Sequence, residues 1–411
     1  MRALLALLCL ALTLSAQAAT TLVVATFPDL DRAAKAAAPI WAKLHPDVTL
    51  KIVSLQYADH HTAMMTALAT SSGLPDVMAL DFRYIGKFAG SGGLEDLGKP
   101  PYNGMALRSQ FVPYTFPQVI NAKGALIAIP ADTGPGTLLY RKDLLDKAGV
   151  SEAELTRDWD SYLRAGQKIK AATGAYLMAD AADLRDILLR SGLKDGEGIY
   201  FDAKNNILVE SPRFVQAFEM GRRARQLGLD AGAVSWSNDW AAGFKQGRIA
   251  TQMMGAWLAG HLRNWLAPDA AGLWRSTTLP GGLYASYGGS FYAIPSKAAN
   301  KQAAWEFILL MCADKQVQLD SLRTLDAFPA LNAALQDPAM DEPIPYLGGQ
   351  KARLLWRDIA AKVPGIPVNK YDAVATNAIL DEFEQVVSED KDIKQALHDA
   401  RVLIEHRARR R

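Results

Sequence analysis

Cysteine is almost missing from this chain, with 2 in 411 residues. Cys9 lies in an N-terminal apolar run and Cys312 is the other, so loss of that run leaves one thiol and no intramolecular disulfide can form. Stability must then come from burial, and a composition that is 50% hydrophobic gives a chain of this length enough apolar surface for two domains with separate cores. No charge of either sign dominates: 45 Lys and Arg stand against 43 Asp and Glu, interspersed along the chain, which excludes the basic face of a nucleic-acid-binding protein. Its apolar runs stop well short of the roughly 20 residues that cross a bilayer. No G-x-S-x-G elbow, zinc signature or P-loop occurs, and no internal repeat, heptad pattern or low-complexity tract is visible.

The chain does carry a short targeting pattern. Met1-Arg2 precede an apolar stretch over 3–14 and the small-residue segment Ser15-Ala16-Gln17-Ala18-Ala19, which reads as a secretory signal peptide over residues 1–18. Cys9 sits inside the apolar stretch without the small neighbour that a lipid-anchor site needs, so a soluble periplasmic protein is expected. The basic cluster over 406–411 reads as a solvated helix end.

Downstream, strand patterns at 21–27, 48–55 and 77–80 alternate with helical patterns at 31–44 and 61–70. Such alternation predicts an α/β fold with a mainly parallel sheet flanked by helices. Ligands of these sheets sit beyond the carboxyl ends of the strands, which makes the loops carrying Phe27, Tyr57, Asp81 and Arg83 candidates. A second half shows helical patterns at 142–148, 159–173, 183–191, 212–227 and 239–246, a strand at 249–254, a helix at 300–311 and helix throughout from 351. Residues 266–288 read as irregular and are expected to wrap a cleft. The segment IAIPADTGPGTLLYRKDLLDKAG, residues 127–149, changes from an apolar run to a Gly- and Pro-punctuated turn and then to a strand and helix, the pattern of a chain crossing between two lobes. GGSFYAIP, residues 288–295, reads as a return crossing.

Four segments, in this order, resemble the family 1 extracellular solute-binding proteins of ABC sugar importers: PDVMALD with the following FAGSGGLEDL, the crossing over 127–149, FKQGRIATQMMGAW over 244–257, and GGSFYAIP with the helix after it. The resemblance implies a two-lobed, type II periplasmic binding protein fold with a multi-crossing hinge. It assigns residues 19–132 and 292–335 to an N-terminal lobe and 133–291 and 336–411 to a C-terminal lobe. It further implies a receptor that captures a sugar, from mono- to oligosaccharide, and delivers it to inner-membrane ABC permease subunits, working as a monomer with no metal, cofactor or catalysis. Asp81 and Arg83 match an acid and an arginine that contact sugar hydroxyls in maltodextrin-binding relatives; Trp257 matches a tryptophan that stacks on a sugar ring, and Asp180 falls near a place where relatives carry acidic contacts.

A sugar offers hydroxyls at its edge and C–H faces above and below, so its receptor needs planar hydrogen-bonding groups and aromatic rings. Besides the residues above, Phe27, Tyr57, Asp132 and Trp236 are candidates, and Gly288 and Gly289 would let backbone approach a ligand. Each has a plainer reading: Asp81 as a helix cap, Arg83 as its ion-pair partner, Asp132 as a turn former, Trp257 as core. Trp240, on the amphipathic helix itself, is the weaker platform beside Trp236. Trp41, Trp159, Trp265, Trp274, Trp305 and Trp356 read as packing residues and His60-His61 as a solvated helix start. A receptor for a polyol or glycerophospho compound is an alternative, and a secreted glycoside hydrolase a remote one, since no motif nominates its pair of carboxylates.

Overall fold

The structure is a computed structural model that describes residues 20–409; the expected signal peptide, Cys9 and the last two arginines lie outside the described residues. Its strands are β1 (Thr20–Thr26), β2 (Val48–Ser54), β3 (Val77–Asp81), β4 (Ile129–Pro130), β5 (Asp132–Thr133), β6 (Gly136–Arg141), β7 (Thr251–Gly255), β8 (Trp274–Thr277), β9 (Ser290–Ala293) and β10 (Phe328–Pro329).

The first lobe is built on a five-stranded sheet ordered β2-β1-β3-β9-β4. The apolar run Val77-Met78-Ala79-Leu80 puts β3 at its centre, buried throughout, as a strand covered on both faces must be. β2 takes the edge, where Thr49 and Lys51 face solvent and the lysine discourages pairing with another chain. β1 runs parallel to β2 and β3, while β9 returns antiparallel between β3 and β4. The helices Leu30–Leu44, Lys301–Ala313 and Lys315–Leu325 pack against one another on this lobe.

The second lobe departs from the expected parallel pairing. Its sheet, ordered β7-β6-β8, is antiparallel, with parallel pairing confined to the bridges Tyr176–Ile249 and Met178–Asp230. The direction has a consequence for the site: Gly136 at the start of β6 lies opposite Gly255 at the end of β7, so β7 runs back toward the hinge and delivers Trp257 there. β8 falls within the stretch expected to be irregular, anchored by the fully buried Trp274. The helix Trp159–Thr173 has the expected bounds and is capped by Asp158, which accepts the Ser161 N–H at 2.6 Å. From residue 351 the chain is not helical throughout: Pro364 and Pro367 interrupt it between Ala352–Ala360 and Asp372–Ser388.

Three crossings join the lobes. β5 pairs with β10, Asp132 opposite Pro329 and Thr133 opposite Phe328, and the third crossing enters β9. The buried side chain of Gln318 ties them to the helices behind: its Nε2 donates to Ala131 O at 2.7 Å and Met311 O at 2.8 Å, and its Oε1 accepts from Ala330 N–H at 3.2 Å. The lobes also touch away from the hinge. A Cβ on Gly86 or Gly90, in the first-lobe helix Ile85–Ser91, would lie 2.4 Å from Asn369 O or Lys370 Cβ respectively, so only glycine permits that approach. Replacing Gln318 by Leu keeps the volume but strands one N–H and two carbonyls in the interior; it should lower unfolding free energy by roughly 2–5 kcal/mol in a denaturant titration, and a loss under 1 kcal/mol, roughly that of an exposed change, would show that the hinge does not depend on it.

Candidate functional site

A cavity of about 800 Å³ opens between the lobes, lined by the ends of β1 and β3, by β5, by the turn before β9 and by the segments around Trp236 and Trp257. Of the residues singled out from sequence, Phe27, Tyr57, Asp81, Arg83 and Asp132 line it from the first lobe and hinge. Trp236, Trp257, Gly288 and Gly289 line it from the other side. Asp180 does not. It is turned into the second lobe, accepting the Ala182 N–H at 2.8 Å with Arg225 at 3.5 Å, so its acidity serves the start of a helix rather than the cavity.

The polar end is organised around Asp81. Its Oδ1 accepts from the Tyr57 hydroxyl at 2.5 Å and the Arg83 N–H at 2.8 Å. Its own N–H donates to His61 Nε2 at 3.1 Å, which requires the His61 proton on Nδ1, and Nδ1 in turn reaches Tyr57 O at 2.7 Å. The expectation that His60 and His61 are solvated is therefore overturned: both are fully buried, His60 with Nε2 at 2.7 Å from Ala79 O, and His61 stacked on Tyr84 at 4.0 Å. Helix Tyr57–Thr70 starts earlier than the sequence pattern indicated, and that extra turn carries both rings inward. Burial pushes Asp81 upward, opposed by the bonds from Tyr57 and Arg83, and burial beside Asp81 pushes the Tyr57 phenol upward too. Asp132 accepts the Ser290 N–H at 2.9 Å; burial raises its carboxyl to about 7, with Ser290 opposing and the nearby Asp81 and Asp29 reinforcing.

The aromatic side rests on a pinned indole. Trp257 Nε1 donates to Tyr287 O at 2.8 Å, and Gly288 at φ 105° leaves room for it, since a Cβ there would sit 2.7 Å from that nitrogen. Trp236 lies nearly parallel to Trp257, planes 19° apart and centroids 5.9 Å apart, an offset arrangement. Ser237 caps the next helix by accepting the Trp240 N–H at 3.1 Å, and Trp240 is fully buried as core. Trp236 has φ 75°, a conformation a bulky residue rarely adopts and that costs about 1–3 kcal/mol.

Sequence reasoning missed His261 and Trp265, which also line the cavity. Trp265 Nε1 donates to His261 Nδ1 at 2.9 Å, so His261 carries its proton on Nε2, 3.6 Å from Asp29 across the cleft. The signal was present: Trp257, His261 and Trp265 are spaced by four, the interval that places side chains on one face of a helix. Arg190 is held between two rings that line the cavity, Phe82 of the first lobe, 5.4 Å away, and Tyr287, 4.7 Å away.

Two lobes, a multi-strand hinge and a cleft lined by indoles and carboxylates define a solute-binding protein. A family model described as bacterial extracellular solute-binding protein matches residues 25–318, and the chain belongs to that family. It is 29% identical over 363 residues to a lactose-binding protein of Rhizobium radiobacter, with 83% of each chain covered. Among solved structures it resembles an extracellular solute-binding protein of family 1, with TM-score 0.81 at 20% identity over 94% of this chain and 99% of that one. It also resembles an ABC-transporter-associated binding protein from B. animalis subsp. lactis Bl-04 in complex with β-1,6-galactobiose, with TM-score 0.78 at 24% identity over 94% and 97%.

The buried histidines and Asp132 should give opposite pH signatures. Burial lowers His60 and His61 from 6.5 to about 4. The unfolded chain thus takes up these protons near pH 6.5 while the folded protein refuses them, and their contribution is full above 6.5 and lost as pH falls to about 4. The advantage of the wild type over a His60→Gln, His61→Gln double variant should shrink over that window, by on the order of 3 kcal/mol per histidine. Asp132, raised from 3.8 to about 7, should make the wild type gain on Asp132→Asn as pH falls from 7 toward 4. Parallel stability curves in chemical denaturation at each pH would contradict both.

Proposed function

We propose that this protein is the extracytoplasmic receptor of an ABC importer and that it captures a neutral saccharide between its lobes, which divide into residues 19–132 with 292–335 and residues 133–291 with 336–411. One observation carries the reading: a single cavity brings a pinned indole, Trp257, opposite an ordered carboxylate, Asp81, whose two protein bonds both fall on Oδ1. Oδ2 is then the acceptor for a ligand hydroxyl, and the Arg83 guanidinium beside it donates to the neighbouring one. Asp132, near its midpoint at neutral pH, can donate or accept, which suits a hydroxyl able to do either.

The charge balance favours a neutral ligand. Asp29, Asp81 and Asp132 line the cavity against Arg32 and Arg83, so a phosphorylated solute would meet more carboxylates than guanidinium groups. Ligand touching both lobes favours the closed arrangement, and that shape is what the permease subunits would engage. The receptor acts as a monomer and leaves its ligand chemically unchanged.

A melting-temperature screen of ligand-stripped protein against saccharides, polyols and glycerophosphodiesters tests this, because a ligand at about 100 times its Kd adds about 2.7 kcal/mol of stability. A saccharide-specific shift is expected, and Trp257→Ala should weaken that saccharide by about 10–100-fold, the loss of one buried ring face. A shift given only by a charged or phosphorylated solute would sink the saccharide assignment, and turnover of a glycan would sink the transport reading.

A further inference from the structure

A guanidinium buried without a carboxylate bonded to it needs an explanation, because an interior charge is costly unless it is compensated. Arg190, the last residue of the helix Ala182–Arg190, is 7% exposed. Its Nη1 donates to Asp186 O at 2.8 Å, one turn back, and its Nε has no partner among the described residues. What compensates it is a pair of aromatic faces, Phe82 at 5.4 Å and Tyr287 at 4.7 Å, both within the roughly 6 Å over which a ring attracts a cation. Asp186 faces the same meeting point, with Oδ2 3.5 Å from the Tyr287 hydroxyl. Burial pushes its carboxyl up, yet Arg185, Arg190 and Arg83 together hold it below the usual carboxylate range.

The two rings belong to different walls of the cavity, and Arg190 stands behind them. Phe82 lies between Asp81 and Arg83 in the loop that presents the polar end, and its N–H donates to Gly289 O at 3.0 Å. Tyr287 supplies the carbonyl that pins Trp257, and its own N–H donates to Gly134 O at 2.6 Å. The helix end is tied to Tyr287 as well: Ser191 bridges to Ala285, and Ala285 O takes the Gly136 N–H at 2.8 Å at the start of β6. Arg190, Tyr287 and Trp257 therefore form one body, and the Phe82 ring is what the first lobe brings to it.

We propose that Arg190 is a positioning residue that sets the polar wall in register with the indole wall: stacked between Phe82 and Tyr287, it holds the Asp81–Arg83 loop in place relative to Trp257 without touching the solute. This rests on the reading that one solute engages both walls. A guanidinium suits the task because it is planar and offers a face to each ring, whereas an ammonium is a point charge.

Hydrogen–deuterium exchange of the ligand-free protein and titration calorimetry with lactose, mannitol and glycerophosphocholine test it. Arg190→Met keeps the length of the side chain and removes the planar charge, Arg190→Lys restores a charge without the plane, and Phe82→Leu removes the first-lobe ring. Arg190→Met should speed exchange over residues 81–84 by at least about threefold while β1 keeps its rate. It should also weaken whichever probe binds by about three- to tenfold, the loss of one cation–ring contact, and Arg190→Lys should recover only part of that loss. The double variant Arg190→Met, Phe82→Leu should bind no more weakly than the worse of the two singles, since both remove the same contact. Multiplied losses in the double variant, or wild-type exchange over 81–84 in Arg190→Met, overturn the proposal. A lowered melting temperature with unchanged affinity shows a merely structural arginine and overturns it too. If only mannitol or glycerophosphocholine binds, the saccharide reading falls, and the same variants with that probe still decide the role of Arg190; if no probe binds, the exchange rates decide it.

Discussion

Where the chain passes from one sheet to the other, its peptide groups need partners beyond those the two sheets supply. An unpaired buried N–H or C=O is expensive, and the crossings lie in the interior, with Ala131, Thr133 and Ala330 all fully or nearly fully buried. The two-residue ladder of β5 with β10 satisfies part of the need, Ser290 O takes the Ala131 N–H at 2.8 Å, and the Gln318 amide adds bonds to Ala131 O, Met311 O and the Ala330 N–H at once. The rest of the molecule hangs from this arrangement. It fixes where β6 begins, hence the direction of β7, hence the position of Trp257; it also fixes Asp132 against Ser290 at the floor of the cleft.

The site is assembled by the same economy of few, shared bonds. Asp81 is oriented by a phenol, a backbone N–H and an imidazole, and the imidazole is itself held in one tautomer by the carbonyl of the residue that supplies the phenol. Such a closed circuit leaves little freedom to reorganise when a ligand arrives, which limits the ordering cost of binding. On the opposite wall, Trp265 fixes the tautomer of His261 in the same way. The two walls thus use a common device, a histidine whose tautomer a neighbouring group fixes, in the first lobe to aim a carboxylate and in the second to brace aromatic rings.

Much of this was legible in the sequence, and the remainder fails for identifiable reasons. The crossing over 127–149, the alternation of strands and helices in the first lobe, and the helix over 159–173 follow from local pattern, and local pattern is what a sequence displays. Trp257 and Asp81 could be named because each follows a strand whose end points at the cleft. Asp180 also follows an apolar segment, but its environment is decided by Arg225, distant in sequence. The histidine pair misled because adjacent polar residues at a helix start are commonly solvated, whereas here Ala79 O and the Asp81 N–H, supplied by the neighbouring strand, make burial affordable. β8 was invisible because its four residues are flanked by glycine and proline; its partner β6 lies far back in the chain, and no window reveals that pairing. Trp265 was assigned to packing although its spacing from Trp257 and His261 was in view, since tryptophan is a core residue by default.

The glycine-permitted seat of Asn369 on the helix Ile85–Ser91 lies away from the indoles and carboxylates that would read a solute. Any opening of the cleft must break it, so it adds to the hold on whatever is enclosed without discriminating among solutes. Tightness and discernment are then heritable separately. A lineage can retune how scarce a nutrient it scavenges by changing residues at that outer seam, and leave untouched the question of which nutrient it recognises.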